Sequence, residues 1–212
     1  PVDPGNPAPA SRRFLFPGLD EATFRQLPGL LSDALPDHFG NQLIDAWMAT
    51  HGYSPAQVTT LDRLAYMNKR GMGALEFRPA RGGQTTSSTP IQLARLVEQA
   101  RRAFQGQLEE SDEDARALNQ LISVGTSAGG ARAKAVLGWN PRTNELVAGQ
   151  FDLPEGFEHW LLKFDGMGHD QQLGPSQHYG RIEYAYHRMA VRAGIDMQPC
   201  RLHHEGGRAH FM

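Results

Sequence analysis

The run SVGTSAGGARAK, residues 123–134, divides the chain into two parts with different hydrophobic patterns. Before it, apolar residues recur with the spacing of amphipathic helices. After it, short apolar runs alternate with turn residues, as in strands. One helical pattern, residues 178–193, returns near the end. This order predicts an α+β fold in which a mostly helical N-terminal part precedes an antiparallel sheet with one helix.

Prolines set the boundaries of the first helices. The spacing from Leu19 to Gly52 is helical, but Pro28 and Pro36 divide it, because an interior proline loses a hydrogen bond and clashes with the preceding turn. The apolar face of the last of these helices carries Leu43, Ile44, Trp47 and Met48.

Two further prolines follow hydroxyl residues. The pairs at 54–55 and 89–90, Ser-Pro and Thr-Pro, each predict a helix start with a capping hydroxyl and proline at the first helical position. The helix predicted after Pro90 has one apolar face, formed by Leu93, Leu96, Val97, Ala100 and Phe104. The next helix is predicted over residues 113–122.

The pattern of the second part predicts mainly strands. Residues 135–139 and 145–150 form a strand pair around the turn sequence NPRTN, and HWLLKF, residues 159–164, is a buried strand. Residues 200–212, CRLHHEGGRAHFM, have the pattern of a hairpin with a Gly-Gly turn. The helix over 178–193 is expected to pack through one apolar side: Ile182, Tyr186, Met189 and Ala193.

Composition and charge restrict the class of protein. Of 212 residues, 40% are hydrophobic and 21% charged, as in globular proteins. The formal net charge of −2 gives no electrostatic basis for binding nucleic acid or an acidic membrane. Cys200 is the only cysteine, which excludes an internal disulfide, and no apolar stretch approaches the roughly 20 residues that span a bilayer. We expect a cytoplasmic protein.

Three segments are expected along the chain: a flexible Pro-rich arm over residues 1–13, an N-terminal domain over 14–120, and a second domain over 121–212. The chain starts at Pro1 and stops within a strand pattern, so we expect it to be part of a longer protein.

The glycine-rich run has two interpretations. Glycine lets backbone N–H groups converge on phosphate oxygens, so the run could hold a phosphate, but it also suits a plain helix-to-strand connection. It is not a Walker A loop: four residues separate Gly125 from Gly130, but Ala131 follows where lysine is required.

Two later residues favour the phosphate interpretation. Lys163 interrupts an apolar strand, and Glu183 lies in the first turns of the next helix. Each has an ordinary explanation, solvent exposure for the lysine and the helix dipole for the glutamate. A glycine-rich loop, a strand lysine and a helix glutamate, in that order, are the parts of a protein-kinase small lobe.

The sequence resembles the HipA-type serine/threonine kinases, toxins of bacterial type II toxin–antitoxin systems, over almost everything after residue 14. The N-terminal motifs LPGLLSDALPDHFGNQLIDAW (27–47) and RLAYMNKRGMGALEFRP (63–79) are long and specific. SVGTSAGGARAKAVL (123–137) is similar to the family's phosphate loop. HWLLKF and IEYAYHRMAVRAGI (182–195) are similar to its lysine strand and glutamate helix.

The resemblance implies roles for particular residues. Lys163 would pair with ATP and Glu183 would be its helix partner. Ser127 would be the site of inhibitory autophosphorylation, with Thr126 as the less favoured neighbour. The loop residues at the nucleotide would be Ser127, Ala128, Gly129, Gly130 and Ala131. The catalytic aspartate and the Mg²⁺ ligands are expected beyond Met212, so this part alone should be inactive.

The resemblance also implies partners: a DNA-binding antitoxin of the HipB type, and a protein substrate such as an aminoacyl-tRNA synthetase or another translation component. Direct nucleic-acid and membrane contacts are not expected. The alternative is a non-catalytic interaction module of a toxin–antitoxin complex that keeps the same fold.

Four other features have structural explanations. His203, His204 and His210 suggest metal, but neighbouring strand residues point to opposite faces and do not converge easily. Cys200 is expected to be a small core residue, and GMGAL, residues 71–75, a tight turn. Tyr184 and Tyr186 are expected to pack the helix.

Overall fold

A computed structural model describes residues 18–71, 74–80, 90–104, 112–125, 133–150, 152–166, 169–170, 174–175 and 178–212. Its helices are α1 Glu21–Phe24, α2 Gly29–Asp33, α3 His38–Thr50, α4 Thr60–Met67, α5 Leu93–Phe104, α6 Asp112–Gly125 and α7 Tyr179–Arg192, with a 3₁₀ turn at Pro55–Gln57. The predicted α+β arrangement is confirmed.

The predicted proline boundaries separate α1, α2 and α3. Pro28 precedes α2 directly, and after Pro36 the Asp37 carboxylate caps α3 by accepting the Gly40 N–H at 2.7 Å. The Ser-Pro pair at 54–55 begins only the 3₁₀ turn, and α4 starts later behind a Thr59–Asp62 capping box.

The prediction of a helix start at the Thr-Pro pair is wrong. Thr89 lies outside the described residues, but Pro90 forms an antiparallel bridge with Val147, and the Ile91 N–H donates to the Leu146 carbonyl at 2.8 Å. This segment extends the sheet edge, and α5 begins only at Leu93 because the backbone is extended until then.

In the described ranges the strands are β1 Lys134–Trp139, β2 Leu146–Ala148, β3 Glu158–Lys163, β4 His169–Asp170, β5 Gly174–Pro175, β6 Leu202–Glu205 and β7 Arg208–Phe211. Five of them form one sheet in the order β2-β1-β3-β7-β6, with all pairs antiparallel, and β4 and β5 form a separate ribbon. The predicted strands and the Gly-Gly hairpin are confirmed. Gly206 and Gly207 both have positive φ, as a two-residue hairpin turn of this kind requires.

One face of the sheet forms a continuous core with α3, α5 and α6. The predicted helical faces supply part of it: Leu43, Ile44 and Met48 are buried on α3, and Leu93, Leu96, Val97 and Ala100 are buried on α5. The sheet contributes Ala135, Leu137, Leu162 and Phe164, among others.

A buried ion pair connects the helices to the sheet. The Lys134 ammonium at the start of β1 lies 3.1 Å from the Asp37 carboxylate, and the two side chains are only 6% and 4% exposed. Asp37 therefore both caps α3 and balances the lysine charge.

Helix α7 lies against β7 with the opposite side to the one predicted. Its buried residues are Gly180 and His187, while Ile182, Tyr186 and Met189 are 47%, 67% and 63% exposed, and Ala193 is exposed too. Tyr184 is half-buried and stacks on His187, whereas the packing role expected for Tyr186 is wrong. The inward side is the one that carries Glu183.

Within the described residues, no helix is both long and apolar enough to cross a bilayer.

Candidate functional site

Lys163 is the last residue of β3, in the middle of the sheet. It lies opposite Phe211 on β7, so the two side chains share a face, and its ammonium is 5.6 Å from the centre of the Phe211 ring. Leu162 and Phe164, its neighbours in sequence, point into the core on the other face. The alternation of the strand therefore turns the lysine away from the core.

Glu183 reaches Lys163 from α7. The Lys163 Nζ donates to the Glu183 Oε2, and both side chains are partly exposed. Gly180, one turn earlier, permits this approach, because a Cβ there would lie 2.1 Å from the Ala209 carbonyl oxygen of β7. The contact between strand lysine and helix glutamate that the sequence predicted is present in the structure.

The ion pair contributes more to position than to folding. Exposed pairs of this kind stabilise proteins by only about 0–1 kcal/mol, since water competes for both charges. The pair holds a cation at a fixed point beside the end of β3.

The glycine-rich loop joins the sheet next to this lysine. Residues 126–132, including Thr126 and the sequence-predicted residues Ser127 to Ala131, lie outside the described residues. The residues that follow them are described: the Ala133 carbonyl accepts the Phe164 N–H at 3.1 Å, and Lys134 lies directly opposite Lys163. The loop therefore enters β1 at the same end of the sheet as Lys163.

A cavity of about 400 Å³ extends from Lys163 along β3, between this strand and the residues around Cys200. Its walls are mostly apolar and aromatic, formed by Trp160, Leu161, Pro199, Phe211 and Met212, with Glu158, His159, Gln198 and Cys200 as the polar residues. Such a volume and lining are typical of small-molecule sites.

Cys200 lines this cavity, so the expectation that it is a core residue is wrong. Its thiol donates to the Gln198 carbonyl at 3.4 Å. Burial raises the pKa of the thiol, an effect that Lys163 opposes and Glu183 reinforces. Gln198 and Pro199, from the segment after α7, line the cavity together with the cysteine.

The three histidines of the hairpin divide as the strand alternation predicts. His203 and His210 form a cross-strand pair on the core face, and His204 faces the other way. In the described ranges no group of three or more His, Cys, Asp or Glu side chains is placed to hold a metal ion.

Sequence reasoning missed the role of His210. Its Nδ1 accepts the Asp165 N–H at 2.9 Å, which ties β7 to the residues after Lys163. Burial lowers the pKa of His210 to about 4, although the Asp165 charge acts in the opposite direction. Counting outward from the Gly206-Gly207 turn would have placed His210 opposite His203.

Comparison with protein families gives two matches along the chain. The family described as HipA N-terminal domain matches residues 9–78, and the family described as HipA-like C-terminal domain matches residues 126–212. Together they cover more than half of the sequence, in the order in which the two domains are named.

The chain belongs to the HipA-like proteins. Searches of curated proteins and of solved structures gave no significant match. In this HipA-like protein, Lys163, Glu183, the glycine-rich loop and every residue that lines the cavity lie within the segment matched by the C-terminal domain family.

Proposed function

We propose that this chain forms the ATP-binding part of a HipA-like protein serine/threonine kinase, the toxin of a type II toxin–antitoxin pair. The observation that carries the proposal is the Lys163–Glu183 ion pair beside the point where the glycine-rich loop enters β1. Kinases use a lysine, a helix glutamate and a loop in this arrangement.

Each part has a role in transferring the γ-phosphoryl group of ATP to a Ser or Thr hydroxyl. Lys163 would bind the phosphates next to the transferred group, and Glu183 would keep its ammonium in place. Backbone N–H groups of residues 128–131 would surround the phosphate oxygens, as glycine-rich loops do. The apolar cavity beside Lys163 would take the base and sugar.

The magnesium that such a reaction needs is not assigned to any residue here. The residues that the structure describes do not bring three metal-ligating groups together. When bound, the ion would neutralise charge on the phosphates.

Ser127 would regulate the site. A phosphoserine carries about −1.5 to −2 charges, which would repel the phosphates that the loop has to hold. We expect mass spectrometry of the full-length protein, incubated with Mg-ATP, to find phosphate on Ser127. Phosphate elsewhere with Ser127 unmodified would contradict this assignment.

The partners are proposed on family membership and on the composition of the chain. We propose a DNA-binding antitoxin of the HipB type, a translation component such as an aminoacyl-tRNA synthetase as substrate, and a cytoplasmic location in keeping with the single cysteine.

Nucleotide binding tests the core of the proposal. We expect NMR titration of the 212-residue chain with ATP to give roughly millimolar affinity, about −4 kcal/mol. Lys163→Met should weaken it about tenfold, since hydrogen bonds to charged groups contribute about 1.5–3 kcal/mol. The matched control is Lys69→Met, which removes an exposed lysine that lies 3.8 Å from Glu76. Equal binding by wild type and Lys163→Met would refute the assignment of Lys163.

Phosphotransfer separates the kinase from a non-catalytic interaction module. The 212-residue chain with radiolabelled ATP, Mg²⁺ and a generic protein acceptor should show no transfer, whereas the full-length protein should transfer phosphate and lose this activity with Lys163→Ala. A full-length protein that binds ATP but transfers nothing would favour the interaction module. Transfer by the 212-residue chain would place the catalytic groups within these residues.

A further inference from the structure

The outer side of α7 and the segment after it carry an unusual amount of exposed apolar surface. Of the eight large hydrophobic side chains exposed in the described ranges, six lie between residues 182 and 197: Ile182, Tyr186, Met189, Val191, Ile195 and Met197. The first three follow one another at i, i+4 and i+7, which places them in one line along the helix. We call this line the α7 stripe.

A row of positive charge runs beside the α7 stripe. Arg181, Arg188 and Arg192 are spaced at i, i+7 and i+11, so all three lie on the same flank of the stripe, about a quarter turn away. All are exposed, and none forms an ion pair with a carboxylate of the described residues. Arg188 lies 5.9 Å from the ring centre of Tyr184.

The acidic residues nearby do not balance this row. Residues 179–197 contain two carboxylates, Glu183 and Asp196. Glu183 is on the inner side of α7 and pairs with Lys163, and Asp196 follows the end of the helix. The outer side of α7 is therefore apolar along one line and basic along the next.

We propose that this surface docks an acidic amphipathic helix of another protein. An apolar ridge on the partner, with residues at i, i+3, i+4 and i+7, would pack on the α7 stripe, which is about 10 Å long. Carboxylates along one flank of the partner would face Arg181, Arg188 and Arg192. This charge pattern would favour an acidic partner and would fix the direction in which the partner helix runs along α7.

A second copy of the chain fits this surface poorly. In an antiparallel pairing of α7 with α7 the two arginine rows would lie together with no carboxylate from either helix between them, and like charges at this distance oppose association. In a parallel pairing the α7 flank facing each row would offer one carboxylate, Glu183, which is already paired with Lys163. The proposal concerns the outer side of α7 and does not depend on catalysis at Lys163.

The test uses two synthetic peptides and the full 212-residue chain. Both peptides have 18 residues and capped ends, and both are designed as helices with leucines at i, i+3, i+4, i+7 and i+11. One carries glutamates along a single flank, and its twin carries lysines at the same positions. By fluorescence anisotropy the glutamate peptide should bind at least tenfold more tightly than the lysine twin, and 0.5 M NaCl should reduce the difference.

Variants of exposed residues locate the binding surface without disturbing the core. The double variant Tyr186→Ser, Met189→Ser should weaken the glutamate peptide at least tenfold. Changing Arg181, Arg188 and Arg192 to glutamate should reverse the preference between the two peptides. The matched control is Tyr53→Ser, which changes another exposed aromatic side chain and should leave binding unchanged.

Three results would overturn the proposal. The first is equal binding of the two peptides, or unchanged binding by the Tyr186→Ser, Met189→Ser variant. The second is a dimer in sedimentation velocity that the same variant abolishes, which would assign the stripe to a second copy. The third is binding to anionic phosphatidylserine vesicles that depends on the stripe while the glutamate peptide does not bind, which would assign it to a membrane.

Discussion

Gly180 lies in the first turn of α7, where the helix passes closest to β7. A Cβ added at this position would be 2.1 Å from the Ala209 carbonyl oxygen and 3.1 Å from the Phe211 nitrogen. Both are backbone atoms of a paired strand, which cannot rotate away as a flexible side chain could. We expect Gly180→Ala to push α7 off the sheet by roughly 1 Å, since Cβ atoms essentially never approach other atoms within 3.0 Å.

The magnitude follows from two opposing terms. Helix propensity favours alanine over glycine by up to about 1 kcal/mol, and less in a first turn. Overpacking against a fixed backbone costs about 1–3 kcal/mol. We therefore expect Gly180→Ala to lower the free energy of unfolding by about 1–2 kcal/mol, the opposite sign to propensity alone.

Urea denaturation followed by tryptophan fluorescence measures this change. The control is Ala185→Gly at an exposed position of the same helix, which should lose about 1 kcal/mol through propensity only. If Gly180→Ala were as stable as wild type or more stable, the close packing of α7 on β7 would be refuted, and with it the geometry that brings Glu183 to Lys163.

Three further predictions concern Lys134, His210 and Cys200. Lys134→Met should lower the free energy of unfolding by about 3–5 kcal/mol, because it leaves the buried Asp37 carboxylate without its cation; adding Asp37→Ser, which keeps a capping oxygen, should recover most of the loss, and no recovery would contradict this explanation. His210 binds a proton below about pH 6.5 when unfolded but only below about pH 4 when folded, so stability should fall by about 3 kcal/mol as the pH drops through this window. His210→Asn should flatten that dependence in denaturation at several pH values while the exposed His204→Gln does not, and an unchanged slope would rule out His210 as its source. Alkylation of Cys200 by N-ethylmaleimide should slow several-fold at 10 mM ATP, and a rate indifferent to ATP would argue against nucleotide in the cavity.

Local signals predicted most of the elements. Prolines mark the starts of α2 and α3 because their effect on the helix acts within one turn. The Gly206-Gly207 turn fixes the last hairpin because positive φ at two successive residues is cheap only for glycine. The contact between Lys163 and Glu183 could be predicted because a lysine in a strand and a glutamate in the first turns of the next helix are the positions that a kinase small lobe uses for this pair.

Predictions that depend on contacts distant in sequence were less successful. Pro90 resembles a helix start, and its bridge to Val147 depends on where β2 ends, which residues 85–93 do not specify. Cys200 was expected in the core because it is small and apolar, but the segment after α7 places it on the cavity wall. The partner that decides the conformation at Pro90, Val147, is more than fifty residues away in sequence, and the β3 residues on the other side of the cavity are more than thirty residues from Cys200.

The orientation of α7 shows why the hydrophobic pattern alone predicted the wrong buried side of this helix. The stripe of Ile182, Tyr186 and Met189 is the more apolar side, and burying such side chains is worth about 1.5–3 kcal/mol each. The opposite side is the one that fits the sheet, because Gly180 allows the close approach to β7 and Glu183 offers Lys163 a counter-charge. Turning the helix over would gain apolar burial but would press larger side chains onto the Ala209 carbonyl and leave Lys163 without Glu183. Because the apolar side faces outward, a partner that covers it would gain the free energy of burying these side chains. The arginine row on the flank of the stripe favours a partner that carries carboxylates.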